Sequence, residues 1–296
     1  MPLAATGTLV AEASAERRAV AAFNIITLEH AEAVIEGAEA CGSPVILQVS
    51  QNAVKFHHGR LAPLARAAVE SARLASVPVA LHLDHVTASP LLRQAPDCGF
   101  SSAMFDASRL PYEDNLAATR EAAEWAHRNG IWLEAELGQV GGKDGAAPLG
   151  AHEPGARTDP LEARDFVAAT GVDALAVAVG TSHAMTTRTA RLDHGLLARL
   201  RDALDVPLVL HGSSGVPDDE LRRAVAAGIG KINVGTGLNI AMTGAVRGHL
   251  ADDPRVVDPR KYLAAGRTAM SRTAAAVIAT LESAATPAGA RTSAGT

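Results

Sequence analysis

The chain has 296 residues, 48% of them hydrophobic and only 3% aromatic, enough for one large α/β domain whose core is built from Ala, Val, Leu and Ile. Twenty-seven basic residues against 32 acidic ones give a formal charge of −5, and no basic run is long enough to follow a nucleic-acid backbone. No segment has the length of a membrane span and Met1 to Arg18 lacks a signal-peptide profile, so a cytoplasmic setting is expected, with Cys41 and Cys98 as reduced, buried thiols.

In chain order, Leu9–Arg17 reads as a helix that caps a barrel floor. Short β-branched or apolar runs then recur at Val20–Ile25, Pro44–Ser50, Pro78–Asp84, Ser102–Asp106, Ile131–Leu137, Ala174–Gly180, Pro207–His211 and Lys231–Val234. Helical patterns such as Glu29–Ala40 and Tyr112–Arg128 follow them, with apolar residues three and four apart. Thr158-Asp159-Pro160 and Val216-Pro217-Asp218-Asp219 read as helix starts, while Gly42, Gly99, Gly130, Gly171 and Gly228 fall where helices should stop. Strands that alternate with helices imply a parallel sheet with right-handed crossovers, and eight such units predict a single-domain TIM (β/α)8 barrel over residues 1–285. An open doubly wound sheet is the alternative, but no G-x-G-x-x-G follows the first strand. Pro259–Leu281 is expected to be a C-terminal helix and residues 286–296 a disordered tail. Gly138 to Arg157 is an aperiodic Gly- and Pro-rich stretch after the fifth strand, expected as a lid over the barrel mouth.

Polar residues gather at the C-terminal strand ends. Strand three ends His82-Leu83-Asp84-His85, strand six runs into Gly180-Thr181-Ser182-His183, and strand seven ends at His211. His85, His183 and His211 thus converge on one rim, and three imidazoles with an open position suit a catalytic metal such as zinc. His82 is expected to point back into the barrel. Asp84 could fix a histidine tautomer or act as a general acid/base, and spacing leaves both roles open. The Gly-rich turns Gly212-Ser213-Ser214-Gly215 and Asn233-Val234-Gly235-Thr236-Gly237 follow strands seven and eight, where barrel enzymes commonly hold phosphate. Metal, acid/base and phosphate cradle together suit carbon–carbon cleavage next to a ketone through an enediolate. A Schiff-base route is disfavoured: of Lys55, Lys143, Lys231 and Lys261 only Lys231 is on a predicted strand, at its start and away from the mouth. A metal-dependent sugar-phosphate isomerase or epimerase, or a non-catalytic sugar-phosphate binding protein, would use the same frame.

His82-Leu83-Asp84-His85, Glu134-Ala135-Glu136-Leu137-Gly138, Gly180-Thr181-Ser182-His183, Leu210-His211-Gly212-Ser213-Ser214 and Asp258-Pro259-Arg260 resemble the class II, zinc-dependent ketose-bisphosphate aldolases, in order from about Phe23 to Tyr262. The resemblance implies a zinc ion on His85, His183 and His211, with Asp84 protonating the aldehyde-side oxygen. It implies that Asn24, Gly212, Ser214, Asn233 and Thr236 hold a dihydroxyacetone phosphate moiety, with Ser50 as a looser phosphate contact. Asp106 and Glu136 would lie near an alternative metal position, leaving room for a second divalent or a monovalent cation. Arg260 would reach a neighbouring subunit's substrate phosphate, which implies a homodimer or homotetramer. Three positions depart from the family pattern. Ala184 stands where Gly is usual after the second histidine, at a cost on the order of 1 kcal/mol if that backbone is left-handed. Asp144 replaces a lid Glu that moves the carbon-bound proton. Gly235 stands where fructose-type enzymes carry Asp or Asn and tagatose-type ones Ala, which leans away from fructose 1,6-bisphosphate.

Overall fold

The computed structural model describes residues 2–138 and 157–283. The polypeptide enters through helix α1 (Thr6–Ala15) and then runs β1 (Val20–Asn24), α2 (Leu28–Cys41), β2 (Val45–Ser50), α3 (Gln51–Phe56), α4 (Ala62–Leu74), β3 (Val79–Val86) and α5 (Ser89–Leu92). It continues through β4 (Ser102–Phe105), α6 (Tyr112–Arg128), β5 (Trp132–Leu137), α7 (Pro160–Thr170), β6 (Ala174–Val177), α8 (His194–Ala203) and β7 (Leu208–Leu210). The last elements are α9 (Asp218–Ala226), β8 (Ile229–Val234), α10 (Thr236–Asp252) and α11 (Pro259–Glu282). The strands pair in parallel in sequence order and β8 closes on β1, with Val20 opposite Lys231 and Phe23 opposite Val234. The expected TIM barrel is therefore present. Residues 286–296 lie outside the described part of the chain, as does most of the expected lid, with Asp144. No helix among the described residues is long and apolar enough to cross a membrane.

Local chemistry accounts for the elements. The Asp159 carboxylate accepts from the Leu161 and Glu162 amides and starts α7, and Gly42, Gly99 and Gly171 end helical segments in the left-handed conformation. Alternate strand residues face opposite sides. Ala21, Phe23, Val45, Leu47, Leu81 and Leu83 pack outward against the helices in the main core. The inward set divides by height. Val20, Ala22, Ile46 and Ala80 pack at the floor against Leu9, Val10 and Ala13 of α1, so α1 plugs the barrel as expected. Above that layer the buried residues include the polar Gln48, His82, Asp84, Glu134, Lys231 and Asn233, beside an apolar group of Met104, Ala174, Ala176 and Val209. An apolar floor and a polar upper interior direct chemistry to the mouth.

Most strand ends shift by a residue or two from the sequence reading, and two strand boundaries and two helices differ in ways that matter for the site. Strand β6 stops at Val177, not Gly180, because the chain turns out of the sheet towards Gly180 (φ 119). Strand β8 begins at Ile229, so Lys231 is its third residue rather than its start. Its side chain is fully buried in the barrel with Nζ on Glu134, not remote from the site. The short helix α3 and the whole of α10 carried no sequence signal.

Candidate active site

The end of β3 and the turns after β6 and β7 assemble the mouth. On β3 the register against β4 shifts between Leu83 and Val86, and His85 there has a left-handed backbone (φ 49). Consecutive strand residues normally face opposite ways; this irregularity lets both Asp84 and His85 line one pocket. His183 comes from the turn after β6 and is followed by Ala184 at φ 58. His211 follows β7 and precedes Gly212 at φ 65, where a Cβ would lie 2.6 Å from the Ser182 carbonyl oxygen. Only glycine permits that approach between the two turns.

The three imidazoles meet edge to face. Ring centroids are 5.0 Å apart for His85 and His183, 4.8 Å for His85 and His211, and 5.7 Å for His183 and His211. One ligand nitrogen from each lies within 4.8 Å of the others. Carboxylates set the tautomers: His85 Nδ1 donates to Asp106 Oδ2 at 2.9 Å, and His211 Nε2 donates to Glu134 Oε1 at 2.8 Å. Asp106 is itself held by the Ser108 amide and hydroxyl. The remaining nitrogens, His85 Nε2 and His211 Nδ1, then face each other at 3.1 Å as two lone pairs. Two facing lone pairs repel unless a cation lies between them, so the donor set fits a divalent metal. His85, Asp106 and Glu136 make a second group with ligand atoms within 4.8 Å.

Asp84 is buried. One oxygen accepts from Asn24 Nδ2 at 2.7 Å, and the other, Oδ1, has no hydrogen-bond partner among the described residues. Burial pushes its carboxyl up, but positive charge at the His85 and His211 pair, which protonation or a bound cation would supply, together with the Lys231 ammonium and the Asn24 hydrogen bond, outweighs it and holds the group below the usual aspartate range. His82 points inward with Nδ1 on Ser102 Oγ at 2.8 Å. Burial first, then the Lys231 charge, hold its imidazole well below the usual histidine range.

Opposite the histidines, the pocket is lined by Asn24, Ser50, Gly212, Ser213, Ser214, Asn233, Gly235 and Thr236. Ser214 Oγ accepts from the Gly237 amide at 3.0 Å, tying the turn after β7 to the start of α10. The Ser213 hydroxyl donates to the Asn233 carbonyl. A Cβ at Gly235 would press on Asn24 Oδ1 at 3.3 Å. Asp106 and Glu136 stand behind the pocket rather than in its lining. The Val234 side chain is buried in the core between barrel and helices, which leaves its main chain to face a ligand. Arg260 is exposed at the start of α11 and bonded to Asp258, and it is not among the described residues that line this pocket. Sequence reasoning gave no role to Asn52, Ser182 and Met185 in the lining, nor to Glu134 and Lys231 beneath it. For the last two the signal was a charge at an inward strand position.

The chain matches the family model described as fructose-bisphosphate aldolase class-II over residues 4–286. It is 39% identical over 275 residues to a fructose-bisphosphate aldolase of Geobacillus stearothermophilus, covering 92% of this chain and 94% of that one. Among solved structures, it resembles the YdjI aldolase of Escherichia coli K12 with a TM-score of 0.81 and 34% identity over 94% of this chain and 97% of that one. It also resembles a putative fructose-1,6-biphosphate aldolase of Coccidioides immitis, with a TM-score of 0.82 and 28% identity over 94% and 96% of the two chains.

Proposed function

The chain belongs to the class-II fructose-bisphosphate aldolase family and is a carbon–carbon lyase; from that premise we propose that it reversibly cleaves a ketose phosphate of the 1,6-bisphosphate type to dihydroxyacetone phosphate and an aldehyde, with zinc on His85, His183 and His211. The observation that carries this reading is the 3.1 Å approach of His85 Nε2 and His211 Nδ1, each turned inward by a carboxylate on its far nitrogen. Zinc bound there would polarise the substrate ketone and stabilise the charge left on it as the carbon–carbon bond breaks.

The protein groups divide the remaining work. Asp84, held ionised and aimed by Asn24, takes the proton from the hydroxyl whose carbon becomes the aldehyde; in the reverse direction it returns it. Its second oxygen is the one left for that transfer. The turns Gly212–Ser214 and Asn233–Thr236, with Ser50, would receive the phosphate on amides and hydroxyls. Asp144 would move the carbon-bound proton that converts the cleaved fragment to dihydroxyacetone phosphate. Asp106 and Glu136 would serve an alternative metal position with His85, and Arg260 a partner subunit's site in a homodimer or homotetramer.

The test is release of dihydroxyacetone phosphate from fructose and tagatose 1,6-bisphosphates, before and after chelation. Release from either that chelator abolishes and zinc restores is expected, and the faster substrate shows what Gly235 selects. Release that survives complete removal of metal would refute the zinc reading.

A further inference from the structure

Directly beneath the metal-facing histidines lies an ion pair that the reaction as described does not use. Lys231, on β8, and Glu134, on β5, are both fully buried inside the barrel, with Lys231 Nζ 2.7 Å from Glu134 Oε2. The other oxygen, Oε1, accepts from His211 Nε2 at 2.8 Å. His82 Nε2 lies 3.9 Å from Oε2 and has no hydrogen-bond partner among the described residues.

A carboxylate's terminal torsion is soft, so Glu134 could turn towards His82 and release His211. Lys231 prevents this by occupying Oε2. A role in stability alone is a poor explanation, because a buried ion pair seldom outperforms well-packed apolar residues of similar volume. The floor of this barrel is in fact apolar.

We propose that Lys231 is a positioning residue for the metal centre: by anchoring one oxygen of Glu134 it fixes the other on His211 Nε2, and so holds His211 Nδ1 towards the metal. The inference rests on the reading that His85, His183 and His211 hold a metal.

The experiment strips the purified protein of metal and titrates it with cobalt(II), whose visible absorption reports its ligand geometry. The wild type, K231M and E134Q/K231M are compared, with circular dichroism to confirm folding. Wild type is expected to bind cobalt, and K231M to bind it at least about tenfold more weakly with an altered spectrum. E134Q/K231M buries no unpaired charge, so it gives the answer if K231M does not fold. It should also bind more weakly, because its Gln is unanchored. A folded variant of either kind with wild-type affinity and spectrum would overturn the role of Lys231. A wild type that binds no cobalt would instead overturn the metal reading on which this inference stands.

Discussion

Ala184 adopts φ 58, a left-handed conformation that disfavours any side chain and suits glycine. Strain on the order of 1 kcal/mol is therefore stored beside His183, and A184G should release it. Its thermal midpoint is expected to rise by about 2 °C, and a calorimetric scan showing a fall would mean that the Ala methyl makes a packing contact worth more than the strain. Asp84 gives the second prediction at this scale. In D84N the Asn24 amide still has an oxygen to donate to, so the local geometry should survive while the proton transfer does not. Turnover should fall by about 10²- to 10⁴-fold with metal content unchanged; loss of metal with activity would show that Asp84 supports the histidines instead. What the sequence revealed at this scale followed from position. His85, His183 and His211 stood out because a polar residue at a barrel strand end is conspicuous against apolar strands. Lys231 and Glu134 did not, since the bond that explains them joins residues 97 apart in sequence.

Among the elements, the strands were the most legible, because burial on both faces makes them short continuous apolar runs. Helix α10 was hidden for the opposite reason: Leu238 is its only fully buried residue, so no apolar stripe marks it. The turn that carries His183 was also unreadable, because side chains distant in sequence hold it. Arg188 donates to the Val216 carbonyl, the Ala190 amide to that of Gly215, and the Leu192 amide to Glu220 on α9. Glu220 also accepts from His194 Nε2 at 2.9 Å. The Leu192 hydrogen bond, with His194 and Arg223 adding to it against the opposing effect of burial, holds the Glu220 carboxyl below its ordinary value of 4.5. A carboxyl lowered by folding contributes stability above its unfolded pKa and loses it as pH falls through the folded one. E220Q should therefore be less stable than wild type at neutral pH, by about 1 kcal/mol. The gap should narrow as pH drops below 4.5. A gap that stays constant in acid would show that the carboxylate's charge contributes nothing to the tether.

At the scale of the whole molecule, the barrel's exposed flank bears on how the site is completed. Helix α11 packs so closely on α2 that a Cβ at Gly37 would lie 2.7 Å from the Ser271 carbonyl oxygen, and α10 packs on α11 through Met242 and Val246 around Gly266. Ile240 and Leu250 on α10 and Val257 beyond it remain exposed, Val257 at 89%, apolar surface of the kind that the proposed homodimer or homotetramer would bury. Arg260 lies at the same end, its side chain 89% exposed and engaged only by Asp258 among the described residues. A fully exposed ion pair is held only weakly against water, so Arg260 can leave Asp258 at little cost, and on the proposal above it would take a substrate phosphate in a partner subunit's site. R260A should then raise KM by roughly 10- to 100-fold, the loss of one charge-assisted hydrogen bond, while metal content stays unchanged. The sharper test mixes R260A with D84N after dissociation and reassembly. A mixed dimer pairs one chain's intact Asp84 with the other's intact Arg260 in one of its two sites, so activity at low substrate should exceed that of either variant alone. If Arg260 served its own chain, every site in the mixture would stay defective and mixing would recover nothing.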